Sequence, residues 1–178
     1  MTQNHCLRLM KLWLTTIITV FLFVACVTED VPRNEGIAVG DPLPQFEVTL
    51  NNDISVSSET LLGKVTMIIF FSTSCSDCQR ELPELEKVYK YFEGKDNVEI
   101  FAISREESPE DVEMFWTKYD LTIPYSSQTD RTIYNLFATV GVPRIYITDK
   151  NNMVVALFDD SDMPAPTEII KLIEGILL

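Results

Sequence analysis

The chain has 178 residues and a formal net charge of −13 at pH 7, with 27 acidic side chains against 14 basic ones. This balance argues against a nucleic-acid-binding protein, which needs a basic face, and its simplest effect is solubility. The length suits one domain with a sizeable core, and no internal repeat or low-complexity tract divides the sequence.

The first 25 residues have the pattern of a secretory leader. Arg8 and Lys11 form a short positive region before the apolar run at residues 12–24, which is shorter than the roughly 20 residues of a membrane span. The run ends in a small residue followed by Cys26, which resembles a bacterial lipoprotein box. We therefore expect residues 1–25 to be a lipoprotein signal peptide and Cys26 to be the lipidated first residue of the mature chain. An uncleaved N-terminal anchor is the alternative.

The leader sets the expected domain organisation and location. Residues 26–38 have no hydrophobic periodicity and are interpreted as a tether, and residues 39–178 as one folded domain. We expect this domain on the periplasmic side of a bacterial envelope, held to a membrane by the lipid on Cys26. The acidic pair Glu29 and Asp30 keeps display on the outer surface open as an alternative.

The next segments predict a hairpin followed by a buried strand and a helix. Alternating residues at 46–50 and 54–56 flank a polar turn and predict an N-terminal β-hairpin. The nearly continuous apolar run at residues 65–72 predicts a strand that is buried on both faces. Residues 79–92 carry an apolar stripe at helical spacing, with Pro83 as a kink.

The second half of the chain alternates further strands and helices. Residues 98–103 predict a strand, and Ser108 predicts the start of a helix that ends at Tyr119. The remaining predicted elements are a helix capped by Asp130 and ending near residue 139, a hairpin of residues 145–148 and 153–158, and a last helix from residue 166 to residue 178. Trp116 and its aromatic neighbours Phe115, Tyr119 and Tyr125 are predicted to belong to the core.

Cys75 and Cys78 lie where the buried strand meets the following helix. At this spacing both sulfurs fall on one face of the first helical turn, close enough for a disulfide. The positive end of the helix stabilises a thiolate on Cys75, so the pair predicts thiol redox chemistry. A zinc site would need about four ligands, and no histidine follows His5, so we expect no metal. A purely structural disulfide is the other interpretation, although a disulfide that closes a short loop constrains the unfolded chain less than one that closes a long loop.

Four segments carry a resemblance to a known family. The family is that of the TlpA/ResA-type thioredoxin-like proteins, close to the broad redoxin (AhpC/TSA-like) grouping. Its opening motif resembles residues 39–46, and its strand-entry motif resembles residues 63–65. Its C-x-x-C motif resembles residues 70–83, and its cis-proline motif resembles residues 141–149. The resemblance implies an α/β thioredoxin-like fold, in which helices flank a central mixed β-sheet and an N-terminal β-hairpin is an extension. It covers nearly all of the predicted mature chain.

The same resemblance implies a role for each matching residue. Cys75 would be the attacking thiolate, and Cys78 would resolve the mixed disulfide. Pro143 would be a cis-proline beside the cysteines, with the backbone of Val142 offered to an extended substrate. Glu81 matches a glutamate that tunes the titration of the cysteines. No cofactor is implied, because the cysteines carry the redox change themselves.

Three departures from the family pattern bear on mechanism. Ser74 stands where the family usually has a tryptophan that contacts partners, so the choice of partner is open at this substrate-binding position. Ile69 stands where cytosolic thioredoxins have a buried aspartate. Asp77 lies between the cysteines, where its negative charge opposes a thiolate. Because a stabilised thiolate makes a dithiol more oxidising, Asp77 predicts a reducing protein.

The predicted function is a membrane-anchored thiol-disulfide oxidoreductase that reduces disulfides of envelope proteins. The resemblance implies a membrane thiol reductase of the DsbD/CcdA type as electron donor, and apocytochrome c among the substrates. Two alternatives stay open. One is a thiol peroxidase, although Ser72 and Ile68 replace the threonine and proline of the peroxiredoxin pattern. The other is a thioredoxin-like module that binds partners without catalysis.

Overall fold

The computed structural model of the protein describes residues 36–178. The predicted signal peptide, Cys26 and most of the predicted tether therefore lie outside the described residues, and their assignments stay predictions. Within residues 36–178, no helix combines the length and the apolar character needed to cross a membrane.

A five-stranded mixed sheet forms the centre of the domain. Its strands are β3 (Val65–Phe71), β4 (Val98–Ser104), β5 (Tyr125–Ser126), β6 (Arg144–Thr148) and β7 (Val154–Asp159). They lie in the order β5-β4-β3-β6-β7 across the sheet. The first three are mutually parallel, and β6 and β7 are each antiparallel to their neighbours. Every residue of β3 is buried, as its apolar run predicts for a strand covered on both faces.

The predicted N-terminal hairpin is present and forms a sheet of its own. Strands β1 (Glu47–Thr49) and β2 (Ser55–Ser57) pair antiparallel, and Val48 faces Val56 on the buried side. The turn uses Asp53 in the left-handed conformation (φ 64°). The hydroxyl of Ser126 donates to Thr49 O at 2.7 Å, which ties the hairpin to the edge of the central sheet.

Among residues 36–178, four helices accompany the sheet: α1 (Ser76–Phe92), α2 (Pro109–Tyr119), α3 (Tyr134–Phe137) and α4 (Pro166–Leu177). The apolar stripe of α1 is buried, and Pro83 lies inside this helix. Helix α4 packs against α1. Ser108 caps α2 as predicted, because its hydroxyl oxygen accepts the N–H of Asp111 at 3.1 Å.

The helix predicted after Asp130 is present but is only one turn long, and the prediction that Asp130 caps it is wrong. The carboxylate of Asp130 accepts the N–H of Thr132 at 2.7 Å, which closes a turn next to the aspartate, and α3 begins only at Tyr134. The side-chain bond that would start a helix is therefore used in a local turn. Strand β5 was not predicted, since two residues give no alternating pattern.

Aromatic side chains fill both sides of β3. Phe70 contacts Tyr134, Phe137 and Tyr146, with ring centres 4.8–6.1 Å apart. Phe71 contacts Trp116 at 4.8 Å. The indole N–H of Trp116 donates to Ile123 O at 2.8 Å, so this buried tryptophan has its polar atom satisfied within the core, as the sequence predicted.

Candidate active site

The two cysteines lie in the first turn of α1, at the carboxyl end of β3. Cys75 is the N-cap residue, with extended backbone angles (φ −81°, ψ 120°), and its Sγ accepts the N–H of Cys78 at 3.4 Å. Cys75 is partly exposed, whereas Cys78 is fully buried, and both are free thiols. At the helix N-terminus the Cys75 sulfur is therefore accessible to solvent, and the Cys78 sulfur is buried next to it.

The predicted cis-proline lies beside this turn. The Val142–Pro143 peptide bond is cis, which confirms that prediction, and Gly141 precedes it with a φ of 82°. The Sγ of Cys75 donates to Val142 O at 3.2 Å. The structure therefore brings Cys75, Cys78, Val142 and Pro143 together, although 67 residues separate Cys75 from Val142 in the chain.

The environments of the two thiols differ. Burial raises the pKa of the Cys78 thiol, and the hydrogen bond and charge of Cys75 act in the same direction. A backbone hydrogen bond at Ser72 and the positive charge of Arg105 oppose this rise in pKa. Cys78 is therefore held as a neutral thiol at pH 7, and it needs help to become a nucleophile.

Asp77 and Glu81 both bind Arg80 on the surface of α1. The Nη1 of Arg80 lies 2.8 Å from Asp77 Oδ1, and its Nε donates to Glu81 Oε1 at 2.8 Å. Arg80 partly neutralises Asp77, the residue predicted to oppose the thiolate. Within residues 36–178, no hydrogen bond links Glu81 to either cysteine, so its tuning role stays a prediction.

The loop before Cys75 is held by Glu107, a residue that sequence reasoning missed. Its Oε1 accepts hydrogen bonds from Ser72 Oγ at 2.7 Å, from the Thr73 N–H at 2.7 Å and from Thr73 Oγ1 at 3.0 Å. The hydroxyl of Ser72 also lies 3.0 Å from that of Ser74, which is exposed next to Cys75. Glu107 is 34 residues from Thr73 in sequence, so no local pattern signals this contact.

Helix α1 fixes the same loop from its other side. Gln79 donates through Nε2 to Thr73 O at 2.8 Å and accepts from the Tyr119 hydroxyl at 3.3 Å. In the part of the chain that the structure describes, no group of three or more His, Cys, Asp or Glu side chains is placed to hold a metal ion.

The sequence model of the AhpC/TSA family matches residues 39–157, which contain both cysteines, the cis-proline and Glu107. The chain belongs to the AhpC/TSA family. This match spans strands β1 to β6 and helices α1 to α3, so the family assignment covers most of the described domain.

Two curated relatives of this chain have a named activity. ResA of Bacillus thuringiensis, a thiol-disulfide oxidoreductase, is 26% identical over 123 residues, which are 69% of this chain and 70% of the relative. ResA of Bacillus subtilis is 28% identical over 121 residues, 68% of this chain and 67% of the relative.

Solved structures establish the fold. A candidate protein disulfide isomerase from Bacteroides thetaiotaomicron superposes with a TM-score of 0.74 at 24% identity, over 80% of this chain and 93% of that one. The thioredoxin domain of a thiol-disulfide oxidoreductase from Bacteroides vulgatus gives 0.67 at 23% identity, over 80% of this chain and all of that one. The chain therefore has the thioredoxin-like fold, with the mixed central sheet, flanking helices and N-terminal hairpin that were predicted.

The arrangement suits thiol-disulfide exchange. A partly exposed sulfur at a helix N-terminus is the place for a nucleophilic thiolate, and the second sulfur lies one turn further along the same helix. Together with the ResA relatives, this geometry makes the domain a thiol-disulfide oxidoreductase.

Proposed function

We propose that this protein is a membrane-tethered reductase of disulfides in bacterial envelope proteins. The observation that carries the proposal is the pairing of partly exposed Cys75 with buried Cys78 in one helical turn beside the Val142–Pro143 bond. The leader-like residues 1–25 and Cys26 support the envelope location and the lipid anchor.

The reaction begins with Cys75 and ends with Cys78. The Cys75 thiolate attacks one sulfur of a substrate disulfide, forming a mixed disulfide and releasing the other substrate sulfur as a thiolate. The Cys78 thiolate then attacks Cys75 Sγ, so the enzyme forms its own disulfide and releases the second substrate thiol. In this proposal the backbone of Val142 binds an extended substrate segment, and exposed Ser74 contacts it next to Cys75.

The proposed direction of electron flow is towards the substrate. Asp77 lies within the turn that holds both sulfurs, and the part of its negative charge that Arg80 leaves unneutralised opposes a thiolate there. The pair is therefore reducing, and it needs an electron donor because an oxidising envelope does not reduce it again. A membrane thiol reductase of the DsbD/CcdA type fits as donor, and apocytochrome c cysteines fit as substrates.

Trapping of mixed disulfides tests the reductase proposal. In a full-length Cys78→Ser chain expressed in a bacterial envelope, the first attack still occurs but resolution does not, so envelope proteins accumulate as covalent adducts on Cys75. A matched Cys75→Ser, Cys78→Ser chain should trap none. Equal adducts with both chains, or no adducts with either, would contradict the proposal.

The thiol peroxidase alternative draws on the AhpC/TSA family match. At the threonine position of the peroxiredoxin pattern, the Ser72 hydroxyl donates to Glu107 at 2.7 Å and is already engaged. Peroxide consumption is the discriminating assay: rapid consumption that survives Cys78→Ser would favour the peroxidase. The binding-module alternative predicts instead that Cys75→Ser leaves the cellular phenotype unchanged.

A further inference from the structure

Ser74 is exposed directly before Cys75 and is the outer end of a hydroxyl network, which consists of Ser74, Ser72 and Glu107. The Oγ of Ser74 lies 3.0 Å from Ser72 Oγ, which in turn donates to Glu107 Oε1 at 2.7 Å. Ser72 is buried and Glu107 is half-buried. The network therefore connects a carboxylate inside the loop to the surface beside the attacking thiol.

The direction of the hydrogen bonds in this network follows from counting protons. A hydroxyl group carries one proton and a carboxylate carries none, so the contact between Ser72 and Glu107 uses the Ser72 proton. Two further hydrogen bonds from Thr73 fix the position of the same carboxylate oxygen. Ser74 is therefore the donor in its contact with Ser72, and its own proton is directed inward.

The exposed end of the network is thus a hydrogen-bond acceptor. A hydroxyl oxygen has two lone pairs, and among residues 36–178 no other group binds the oxygen of Ser74. A hydrogen-bond donor on a substrate that reaches Cys75 can use these lone pairs without disturbing the network. A substrate group that only accepts hydrogen bonds meets the same lone pairs and gains nothing.

The charges favour a cationic donor. The network ends at a carboxylate, which polarises both hydroxyl groups, and hydrogen bonds from a charged donor are stronger than those from a neutral one. The second oxygen of Glu107, Oε2, is shielded from solvent and has no hydrogen-bond partner among residues 36–178. Such an oxygen is costly for a residue that only holds a loop. The protein as a whole has a formal charge of −13, which attracts basic partners.

We propose that Ser74 selects substrates that have a lysine or arginine beside the cysteine that Cys75 attacks. The Ser74 oxygen accepts a hydrogen bond from that basic side chain, and Glu107 is the positioning residue that sets the direction of the hydroxyl group through Ser72. The proposal rests on the proposed reductase function and names its substrate class, which is disulfides flanked by basic residues. A polar contact then replaces the apolar one that a tryptophan at this position would make.

Peptide disulfides that release a coloured thiolate measure this preference. Three peptides differ only in having lysine, methionine or glutamate beside a single cysteine, whose sulfur is bonded to nitrothiobenzoate. The Cys75 thiolate attacks the peptide sulfur, a disulfide forms between Cys75 and the peptide, and nitrothiobenzoate leaves with the electron pair of the broken bond. The reduced full-length chain is used in detergent, with Cys6→Ser and Cys26→Ser so that only the active-site thiols react.

The measured quantity is the rate of colour release with the lysine peptide divided by the rate with the methionine peptide. We expect Ser74→Ala to lower this ratio by about three- to ten-fold, the range of one hydrogen bond. The overall charge of the protein is the same in both chains, so its attraction for lysine cancels. Ser76→Ala is the matched control, because it removes another exposed hydroxyl beside Cys75, and its ratio should equal that of the parent.

Ser72→Ala tests the direction of the Ser74 hydroxyl group. This substitution removes the acceptor of the Ser74 proton, so the hydroxyl group can turn and donate to a carboxylate on the substrate. The rate with the glutamate peptide, divided by the rate with the methionine peptide, should then rise by about two- to five-fold. The rate with the methionine peptide alone shows that the variant is folded and reactive.

Three results would overturn these assignments. A lysine preference that is the same in the parent and in Ser74→Ala, or that falls equally in Ser74→Ala and Ser76→Ala, would overturn the selection by Ser74. No gain for the glutamate peptide in Ser72→Ala would overturn the fixed direction of the hydroxyl group. Rapid release from all three peptides would leave the reductase function standing in both cases. A parent chain that releases nitrothiobenzoate no faster than a Cys75→Ser chain would overturn both proposals.

Discussion

Replacing Glu107 by glutamine tests how the loop before Cys75 is held. The carboxylate oxygen Oε1 accepts three hydrogen bonds from Ser72 and Thr73, at 2.7, 2.7 and 3.0 Å. Hydrogen bonds to a charged acceptor contribute about 1.5–3 kcal/mol each, against about 0.5–1.5 kcal/mol for a neutral one. Because contributions that share one acceptor are not additive, we expect Glu107→Gln to lower the free energy of unfolding by about 2–3 kcal/mol.

Urea denaturation of the reduced full-length chain in detergent measures this change, with Trp13→Phe in every chain so that the fluorescence reports Trp116. Glu106→Gln is the matched control, since Glu106 is the adjacent glutamate and forms only a surface pair with Arg131. Such a pair contributes about 0–1 kcal/mol, so its loss should be small. If Glu107→Gln destabilises the protein no more than Glu106→Gln, the three hydrogen bonds do not hold the loop as described.

Three further predictions concern the reduced pair and a helix cap. Asp77→Asn removes a negative charge beside the thiols and should make the reduction potential more oxidising by about 10–30 mV, measured in glutathione buffers; an unchanged potential would contradict this effect. Because burial raises the pKa of Cys78, the folded reduced chain keeps a proton that an unfolded cysteine loses near pH 8.5. Its free energy of unfolding should therefore fall as the pH rises above about 8.5, and the same titration in Cys78→Ser should lack this loss. Ser108→Ala removes the cap of α2 and should lower the free energy of unfolding by about 1 kcal/mol in urea denaturation, whereas no loss would show that the cap is dispensable.

The elements that follow from local pattern were predicted well. The continuous apolar run gave β3, and the helical stripe after the cysteines gave α1, because burial of these residues repeats at the period of the element. The start of α3 and the two-residue strand β5 were not. Asp130 has the side chain of a helix cap but uses it on Thr132, and β5 owes its existence to pairing with β4 rather than to its own two residues.

The residues of the candidate site also differ in how well the sequence predicts them. Short local motifs were enough to predict the cysteine pair Cys75 and Cys78 and the cis bond before Pro143. Glu107 was not predicted, because its contacts with the loop before Cys75 join segments more than 30 residues apart. Which of the two adjacent glutamates holds the loop depends on side-chain directions that only the folded chain defines.

The reduction potential of the Cys75–Cys78 pair tests the central claim most directly. The full-length chain in detergent is equilibrated in dithiothreitol or glutathione buffers, and the fraction of reduced pair is counted by thiol alkylation, with a Cys75→Ser chain as the blank. The account predicts a reversible two-electron couple more negative than about −200 mV, in the range of reducing thioredoxin-like proteins. A potential near −120 mV, typical of a strong oxidant, would contradict the proposed direction, and a pair that never cycles would contradict the reaction itself.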